Sequence, residues 1–421
     1  MDKFIIRGGK KLNGKIIVSG AKNSSLALMP ATLLNSGINT IQNTPEVNDV
    51  YTMIKLLKQL GVESEFFNHE LKLNTSNISS QVAPYELVKK MRASVYVLGP
   101  LLSRYGYAKV SMPGGCAWGP RPINLHLEAM KKLGAEIILE EGYIIAKAKK
   151  LHGTKIHLDV SSVGATGNTL MAAVLAKGTT LLTNAAIEPE IILLAEYLNL
   201  MGAKIFGIGT TSLEIEGQDQ LSPEAIVNIP DRIEAGTLLI AGAITNSKIS
   251  LDNINISHLD SLLVKLEDTG VKVSYDNNIL TLDANDIRFK SVDVTTAVYP
   301  GFPTDMQAQW TAYMTLANGI STVTDSIYTD RFNHVPELNR MGANIELINN
   351  GAVIKGVEKL KGAKVMSTDL RASACLVLAG LAAEGSTEVL RIYHLDRGYQ
   401  RIEEKLRMLG ADIERVATTE F

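Results

Sequence analysis

The sequence predicts a mixed α/β fold, built from six copies of a βαβαββ unit and grouped into two lobes of three. Three observations lead there. A helix-like ending, then Gly, then a small or β-branched residue and a strand, recurs as Leu60-Gly61-Val62, Leu133-Gly134-Ala135, Met201-Gly202-Ala203, Thr269-Gly270-Val271, Met341-Gly342-Ala343 and Leu409-Gly410-Ala411. Those glycines are 73, 68, 68, 72 and 68 residues apart, which is an internal repeat. Composition agrees: 421 residues, 46% hydrophobic and 20% charged, are enough for two or three packed domains and argue against disorder.

Within a unit, a stretch such as Thr169-Leu170-Met171-Ala172-Ala173-Val174-Leu175-Ala176 has helical length and almost no polar face, so it predicts a helix surrounded by protein. A turn and an alternating strand follow, as in Gly178-Thr179-Thr180-Leu181-Leu182 and Gly319-Ile320-Ser321-Thr322-Val323. A second helix with a polar face, for example Glu128-Ala129-Met130-Lys131-Lys132-Leu133, runs into the recurrent glycine, which supplies a left-handed cap. The segments around Glu141-Gly142 and Asn349-Asn350-Gly351 predict hairpins. A period near seventy residues exceeds that of ordinary solenoids, so six units group more naturally into two lobes, with a boundary near Asn228-Ile229-Pro230. The opening strand, Phe4-Ile5-Ile6-Arg7-Gly8, could pair with either lobe.

Charge narrows the partners. Lys plus Arg total 42 against 44 Asp plus Glu, a net charge of −2, and no basic run exceeds two residues. Nucleic-acid and membrane-surface partners are disfavoured. No apolar run approaches transmembrane length, and Met1-Asp2-Lys3-Phe4 lacks a signal peptide's apolar centre, so a cytoplasmic location is expected. Cys116 and Cys375 lie far apart and outside any CxxC, suggesting neither a disulfide framework nor a thiolate zinc site.

The starts of the apolar helices carry the most informative residues: Ala21-Lys22-Asn23, Met91-Arg92-Ala93, Val163-Gly164-Ala165, Asp231-Arg232-Ile233, Thr304-Asp305-Met306 and Leu370-Arg371-Ala372. Four of the six place a cation where the helix dipole disfavours one by about 0.3–1 kcal/mol. A recurrent arrangement of that kind implies that something anionic offsets the cost, and first-turn N–H groups beside Lys or Arg form a phosphate or carboxylate site. The alternative is that such stems merely cover apolar neighbours. The loop Pro113-Gly114-Gly115-Cys116-Ala117-Trp118-Gly119-Pro120-Arg121-Pro122 combines glycines with a thiol, which reads as a mobile reactive segment or as a plain glycine-rich turn. Cys375, within Ala372-Ser373-Ala374-Cys375-Leu376-Val377, reads as core.

Familiar signals fail. Gly9-Lys10-Lys11-Leu12-Asn13-Gly14-Lys15 has P-loop spacing, but Ile16 replaces Ser or Thr and a strand follows. His152 and His157 are five apart in an apparent strand and cannot chelate one ion.

At this point the chain resembles, over nearly its whole length, the UDP-N-acetylglucosamine 1-carboxyvinyltransferase family of enolpyruvyl transferases. The match rests on Ser19-Gly20-Ala21-Lys22-Asn23, Pro113-Gly114-Gly115-Cys116-Ala117, Arg121-Pro122, Ser162-Val163-Gly164-Ala165-Thr166, Glu188-Pro189-Glu190, Pro230-Asp231-Arg232, Phe302-Pro303-Thr304-Asp305-Met306-Gln307-Ala308-Gln309, Thr368-Asp369-Leu370-Arg371-Ala372-Ser373 and Asp396-Arg397-Gly398-Tyr399. The resemblance implies a two-lobed inside-out α/β barrel, one lobe spanning 21–229 and the other 1–20 with 230–421, with the active site in the cleft between lobes. It implies transfer of enolpyruvyl from phosphoenolpyruvate to the 3′-hydroxyl of UDP-N-acetylglucosamine, with release of phosphate, as the step opening peptidoglycan precursor synthesis. No metal or organic cofactor is implied.

On the same resemblance, Lys22, Arg121 and Arg397 match ligands of the phosphate and carboxylate of phosphoenolpyruvate, with Asn23 beside them. Cys116 looks like the donor of a proton to the methylene carbon, and Asp305 like the group that orients and deprotonates the sugar hydroxyl. Uridine and diphosphate are placed near Arg92, Arg121, Pro122, Ile123, Asn124, Leu125, Ser162, Val163, Gly164, Ala165 and Ile327. Asp369, Arg371, Glu188 and Arg331 resemble residues supporting that cleft. The chain departs from the family pattern at Val160, where many relatives carry Lys, and at Trp118 and Pro120, where smaller residues are common. Two alternatives are a shikimate-pathway enolpyruvyl transferase, against which Gly114-Gly115-Cys116 argues, and a catalytically silent UDP-sugar-binding paralogue, against which Lys22, Cys116, Asp305 and Arg397 argue. The sequence does not set an oligomeric state.

Overall fold

The computed structural model describes residues 2–89, 91–112 and 123–420. Its strands form six four-stranded sheets. One of them shows the plan of all six. Lys155–His157 and Thr179–Thr183 are parallel, and Ser212–Glu216 runs antiparallel to both Thr179–Thr183 and Lys204–Phe206. Helix Val163–Ala173 connects the first two strands and helix Pro189–Leu200 leads to the third, giving the order βαβαββ that the repeat predicts.

Three sheets take a strand from a distant part of the chain. Ala225–Val227 lies parallel to Ile38–Gln42, and Asn13–Ile17 parallel to Lys248–Asp252. Asp2–Arg7 runs antiparallel to both Ser386–Leu390 and Asp412–Ala417, so the opening strand sits inside a sheet. The chain divides into a unit of Gly20–Ile229 and a unit of Met1–Ser19 with Pro230–Phe421.

Each unit has its own apolar core. Helices without a polar face fill it, because such a helix has no side to offer to water. In the unit holding the chain ends, Arg232–Ile244, Gln307–Met314 and Leu370–Ala382 pack on one another, and every residue of Gln307–Met314 is buried. Cys375 is among these core residues, and burial pushes its thiol pKa up. Strands such as Thr179–Thr183 and Ser212–Glu216 alternate buried and exposed residues, which puts the sheets on the outside of each unit. Among the described residues, no helix is long and apolar enough to cross a membrane.

The recurrent glycines cap helices as expected. Gly61, Gly134, Gly202, Gly270, Gly342 and Gly410 have φ of 106°, 98°, 104°, 101°, 92° and 97°. After five of them the next N–H reaches back to a helix carbonyl, Val62 to Leu57, Ala135 to Met130, Ala203 to Leu198, Ala343 to Leu338 and Ala411 to Leu406, at 3.0–3.2 Å. The Glu141-Gly142 hairpin turn takes φ of 51° and 77°, and Asn349 at 53° begins the other predicted hairpin turn.

A second repeated bond ties the hairpin to the turn before its neighbouring strand. Thr75, Ala148, Gly217, Ala284, Gly356 and Gly8 donate their N–H to the carbonyls of Gly37, Gly106, Gly178, Ser247, Gly319 and Gly385. At Gly356 this brings the chain so close that a Cβ would lie 1.7 Å from the Ala317 carbonyl oxygen. Gly356→Ala is therefore expected to lower unfolding free energy by about 2–3 kcal/mol. Gly202→Ala, with nothing within 4 Å of the new carbon, carries only the left-handed backbone penalty of about 1 kcal/mol. Urea midpoints of the two variants check the order.

Candidate functional site

In the unit Gly20–Ile229, Lys22 is the first residue of helix Lys22–Ala31, whose N-cap Ala21 offers no side-chain acceptor. Its ammonium lies 3.5 Å from Asp49 Oδ2, and both side chains are largely buried, at 12% and 6% exposure. Asn23 is half-buried beside it. Just before Lys22, Gly20 packs against another stretch of backbone: a Cβ there would fall 1.6 Å from the Asn43 carbonyl oxygen.

A second cluster gathers the starts of two helices. Ser162 caps helix Val163–Ala173 by accepting from the Ala165 N–H at 3.3 Å. The N–H groups of Val163 and Gly164, in the first turn, have no carbonyl four residues back within the helix. Ile123 and Leu125 are half-buried and Asn124 exposed where helix Asn124–Lys132 begins. His126 joins the two helices. Asn168 Oδ1 accepts from the Gly99 N–H at 2.7 Å, so the Asn168 amide nitrogen is the atom that meets Val95 O at 2.9 Å and His126 Nδ1 at 3.0 Å. Nδ1 is then an acceptor, and the neutral ring carries its proton on Nε2. A Cβ on Gly164 would lie 3.0 Å from His126 Cε1 and Nε2, so a larger residue would have to push the ring aside. Burial, and then Arg92, lower the His126 pKa to about 4. Tyr96 hydrogen-bonds Val163 O at 3.3 Å; its pKa is raised by burial and by Glu188 and Glu190, which places those carboxylates near the same region.

In the other unit the centre is Asp305, in the 3-10 turn Thr304–Met306 that leads into helix Gln307–Met314. Arg331 Nη1 meets its Oδ1 at 2.9 Å and Arg371 Nη2 meets its Oδ2 at 2.6 Å, so each carboxylate oxygen has its own guanidinium. The arginine side chains are 8% and 5% exposed, Asp305 26%. Burial opposes the Arg371 charge, but Asp305 more than offsets it and the guanidinium is held above its ordinary pKa. Asp369 caps helix Leu370–Ala382 by accepting from the N–H groups of Arg371 at 2.8 Å and Ala372 at 3.2 Å. Asp325, fully buried, accepts from Thr296 Oγ1 and Thr304 Oγ1, both at 2.7 Å, and from the N–H groups of Ile327 and Tyr328, both at 2.9 Å. That one carboxylate fixes the chain at Ile327 and the residue before Asp305. Arg397 ends the 3-10 turn Ile392–Arg397 and acts, after burial and Asp369, on the His394 pKa, so it lies near His394.

The structure thus gathers Ile123 to Leu125, Ser162 to Ala165 and Arg92 around His126, and Asp305, Arg331 and Arg371 around one ion-pair network. Cys116, Arg121 and Pro122 lie outside the described residues. The cations at helix starts do meet anions, but at Lys22 and Arg371 these are the protein's own Asp49 and Asp305. Sequence reasoning missed His126, Asp49 and Asp325. For Asp325 a local signal exists, since an Asp at a strand end accepting from N–H groups two and three residues on is an Asx turn; the other two are set only by distant packing.

Because folded His126 resists protonation until about pH 4, whereas an unfolded histidine takes a proton near 6.5, the unfolded state binds more protons between those values. Stability contributed by the neutral ring is complete above 6.5 and lost as pH falls toward 4, by roughly 3 kcal/mol. A His126 ring titration by NMR with a midpoint near 4, and a smaller acid loss of urea stability in His126→Phe, are the expected results.

A family model described as EPSP synthase (3-phosphoshikimate 1-carboxyvinyltransferase) matches residues 6–406. The chain is 60% identical, over 100% of its own length and 99% of the relative, to the UDP-N-acetylglucosamine 1-carboxyvinyltransferase of Chloroherpeton thalassium. It is 57% identical to the protein of that name from Chlorobium chlorochromatii, over 100% of both chains. Among solved structures, the enolpyruvyl transferase NikO from Streptomyces tendae covers 98% of both chains at TM-score 0.90 and 25% identity. An EPSP synthase from Acinetobacter baumannii covers 99% of this chain and 100% of its own at TM-score 0.77 and 18% identity, a likeness of fold. The chain belongs to the EPSP synthase family of enolpyruvyl transferases, and within it to the UDP-N-acetylglucosamine 1-carboxyvinyltransferase family.

Proposed function

We propose that this protein transfers the enolpyruvyl group of phosphoenolpyruvate to the 3′-hydroxyl of UDP-N-acetylglucosamine and releases phosphate, in the cytoplasm, as the first committed step of peptidoglycan precursor synthesis. The observation that carries this reading is 60% identity over the whole chain to a relative of that name. The paired Asp305 carboxylate and the open first turn at Ser162 to Ala165 are compatible with it.

Both substrates are polyanions, while the chain as a whole carries a net charge of −2. Binding therefore depends on local cations. Lys22, Arg121 and Arg397, with Asn23, take the phosphate and carboxylate of phosphoenolpyruvate. Arg92, Arg121 to Leu125, and Ile327 take the uridine and diphosphate. The first turn at Ser162 to Ala165, with the His126 Nε2–H beside it, offers N–H donors to diphosphate without a positive side chain. Val160, 62% exposed, adds no charge there.

In the first step the sugar oxygen bonds to C2 of phosphoenolpyruvate while the methylene carbon gains a proton. Cys116 gives that proton and Asp305 accepts the one leaving the hydroxyl. Loss of a proton from the new methyl group and departure of phosphate then restore the double bond. Asp305 suits its role because its two oxygens are held in place by Arg331 and Arg371, which fixes the direction from which it meets a hydroxyl. Asp369 supports the start of helix Leu370–Ala382, and with it Arg371, by capping that helix; in the other unit Glu188 stands at the N-cap position of helix Pro189–Leu200.

Phosphate release from phosphoenolpyruvate is expected with UDP-N-acetylglucosamine and not with shikimate 3-phosphate; the reverse preference would overturn the reading. Cys116→Ser should lower kcat by at least about 100-fold and abolish alkylation by fosfomycin, the epoxide that labels the corresponding cysteine in the family it resembles. Arg397→Ala should raise KM for phosphoenolpyruvate and lower kcat together, as for a group that holds the substrate and holds the transition state more strongly. Steady-state phosphate release measures both.

A further inference from the structure

The Asp305 site has a support that lies behind it. Three interior helices of the same unit each send one polar side chain to a single point: Thr237 from Arg232–Ile244, Gln309 from Gln307–Met314 and Arg371 from Leu370–Ala382. The group they meet is the hydroxyl of Tyr399, a residue 2% exposed. Burial holds its phenol above the usual tyrosine range, so the hydroxyl keeps its proton.

Counting hydrogens fixes which way that hydroxyl points. Thr237 has one hydroxyl hydrogen, and it goes to Ile233 O at 2.7 Å. The 2.8 Å contact between Thr237 Oγ1 and Tyr399 Oη is therefore donated by tyrosine. The tyrosine oxygen then accepts from Arg371 Nη1 at 3.2 Å and shares with Thr237 Oγ1 one hydrogen of Gln309 Nε2, which lies 3.2 Å from each. Gln309 is oriented as well: its Nε2 donates to the Asp305 main-chain oxygen at 2.9 Å, and a flipped amide would set two oxygens against each other. One hydroxyl is thus linked to residue 305 by two routes. Through Arg371 it reaches the carboxylate, and through Gln309 it reaches the backbone carbonyl.

We propose that Tyr399 is a positioning residue for Asp305, acting through Arg371 and Gln309, in the reaction proposed above and resting on that reading. It touches no reacting atom. Its hydroxyl holds Arg371 Nη1 so that Nη2 is aimed at Asp305 Oδ2. Among the described residues Arg371 Nε has no hydrogen-bond partner, so loss of the tyrosine oxygen leaves the carboxylate as the remaining side-chain acceptor there and frees the guanidinium to turn about it.

Tyr399→Phe keeps the ring and removes the oxygen. Expected are a kcat per active site about tenfold lower, with both KM values within about twofold of wild type. In an Arg371→Lys background the same change should cost clearly less than in wild type, because the route to the carboxylate is already cut and only the one through Gln309 remains to lose. A structural role alone would lower the folded fraction and leave kcat per active site unchanged, and would overturn the proposal, as would full multiplication of the two losses. The restricted Nη–H signals of Arg371, identified by their loss in Arg371→Lys, should be present in wild type and collapse in Tyr399→Phe. Their persistence overturns the proposal even if the wild-type protein shows no transferase activity, an outcome that would separately remove the functional reading. Should Tyr399→Phe not fold, Thr237→Val removes the acceptor of the tyrosine proton; the same kcat loss supports the proposal and wild-type kcat overturns it.

Discussion

One carboxylate shared by two buried guanidinium groups organises the unit that holds the chain ends. Asp305 stands at the start of one interior helix, Arg371 in the first turn of another, and Arg331 in the segment after strand Ile320–Asp325. A buried arginine without its partner costs several kcal/mol, whereas the intact pair adds little net stability. Such an arrangement is poor as glue and good as a jig. It requires the helices to start at fixed heights relative to one another, and the fully buried helix faces deliver that.

The Lys22–Asp49 pair does the equivalent in the other unit with a weaker geometry, 3.5 Å between unlike charges that are both largely buried. The contrast with Ser162 to Ala165 is instructive. That helix start uses a neutral cap and a neutral histidine, so its donors are not already engaged by a carboxylate of the protein. On the function proposed above, anion recognition within one chain is built in two ways: by cations restrained with internal carboxylates, and by amide groups that carry no formal charge.

Much of this was legible in the sequence because it is local. The recurrent glycines need a left-handed backbone, and their spacing alone gives the repeat and the chain order of its elements. Helices lacking a polar face announce their own burial. The site was legible only through residues whose type conflicts with local preference, such as Lys22 and Arg371 at helix starts. What supports them was not. Asp49, His126 and Tyr399 are ordinary in their local surroundings and acquire their roles from distant packing, 27 residues away for Lys22–Asp49 and 94 for Asp305–Tyr399. The pairing of the first strand was equally hidden, since alternation along Phe4 to Gly8 says which face is buried and not against which neighbour.

That first strand has a consequence for how the molecule is made. Asp2–Arg7 lies between Ser386–Leu390 and Asp412–Ala417, hydrogen-bonded on both edges. On the ribosome it emerges hundreds of residues before its partners. Until then an apolar ribbon, with Phe4 and Ile6 destined for complete burial, has no sheet to join, while Gly20–Ile229 can already condense. Vectorial synthesis therefore delivers one unit early and leaves the other open until Asp412–Ala417 has been made. A nascent chain stalled short of its final strand would carry that ribbon as a sticky edge, which makes the closing residues as decisive for solubility as for shape.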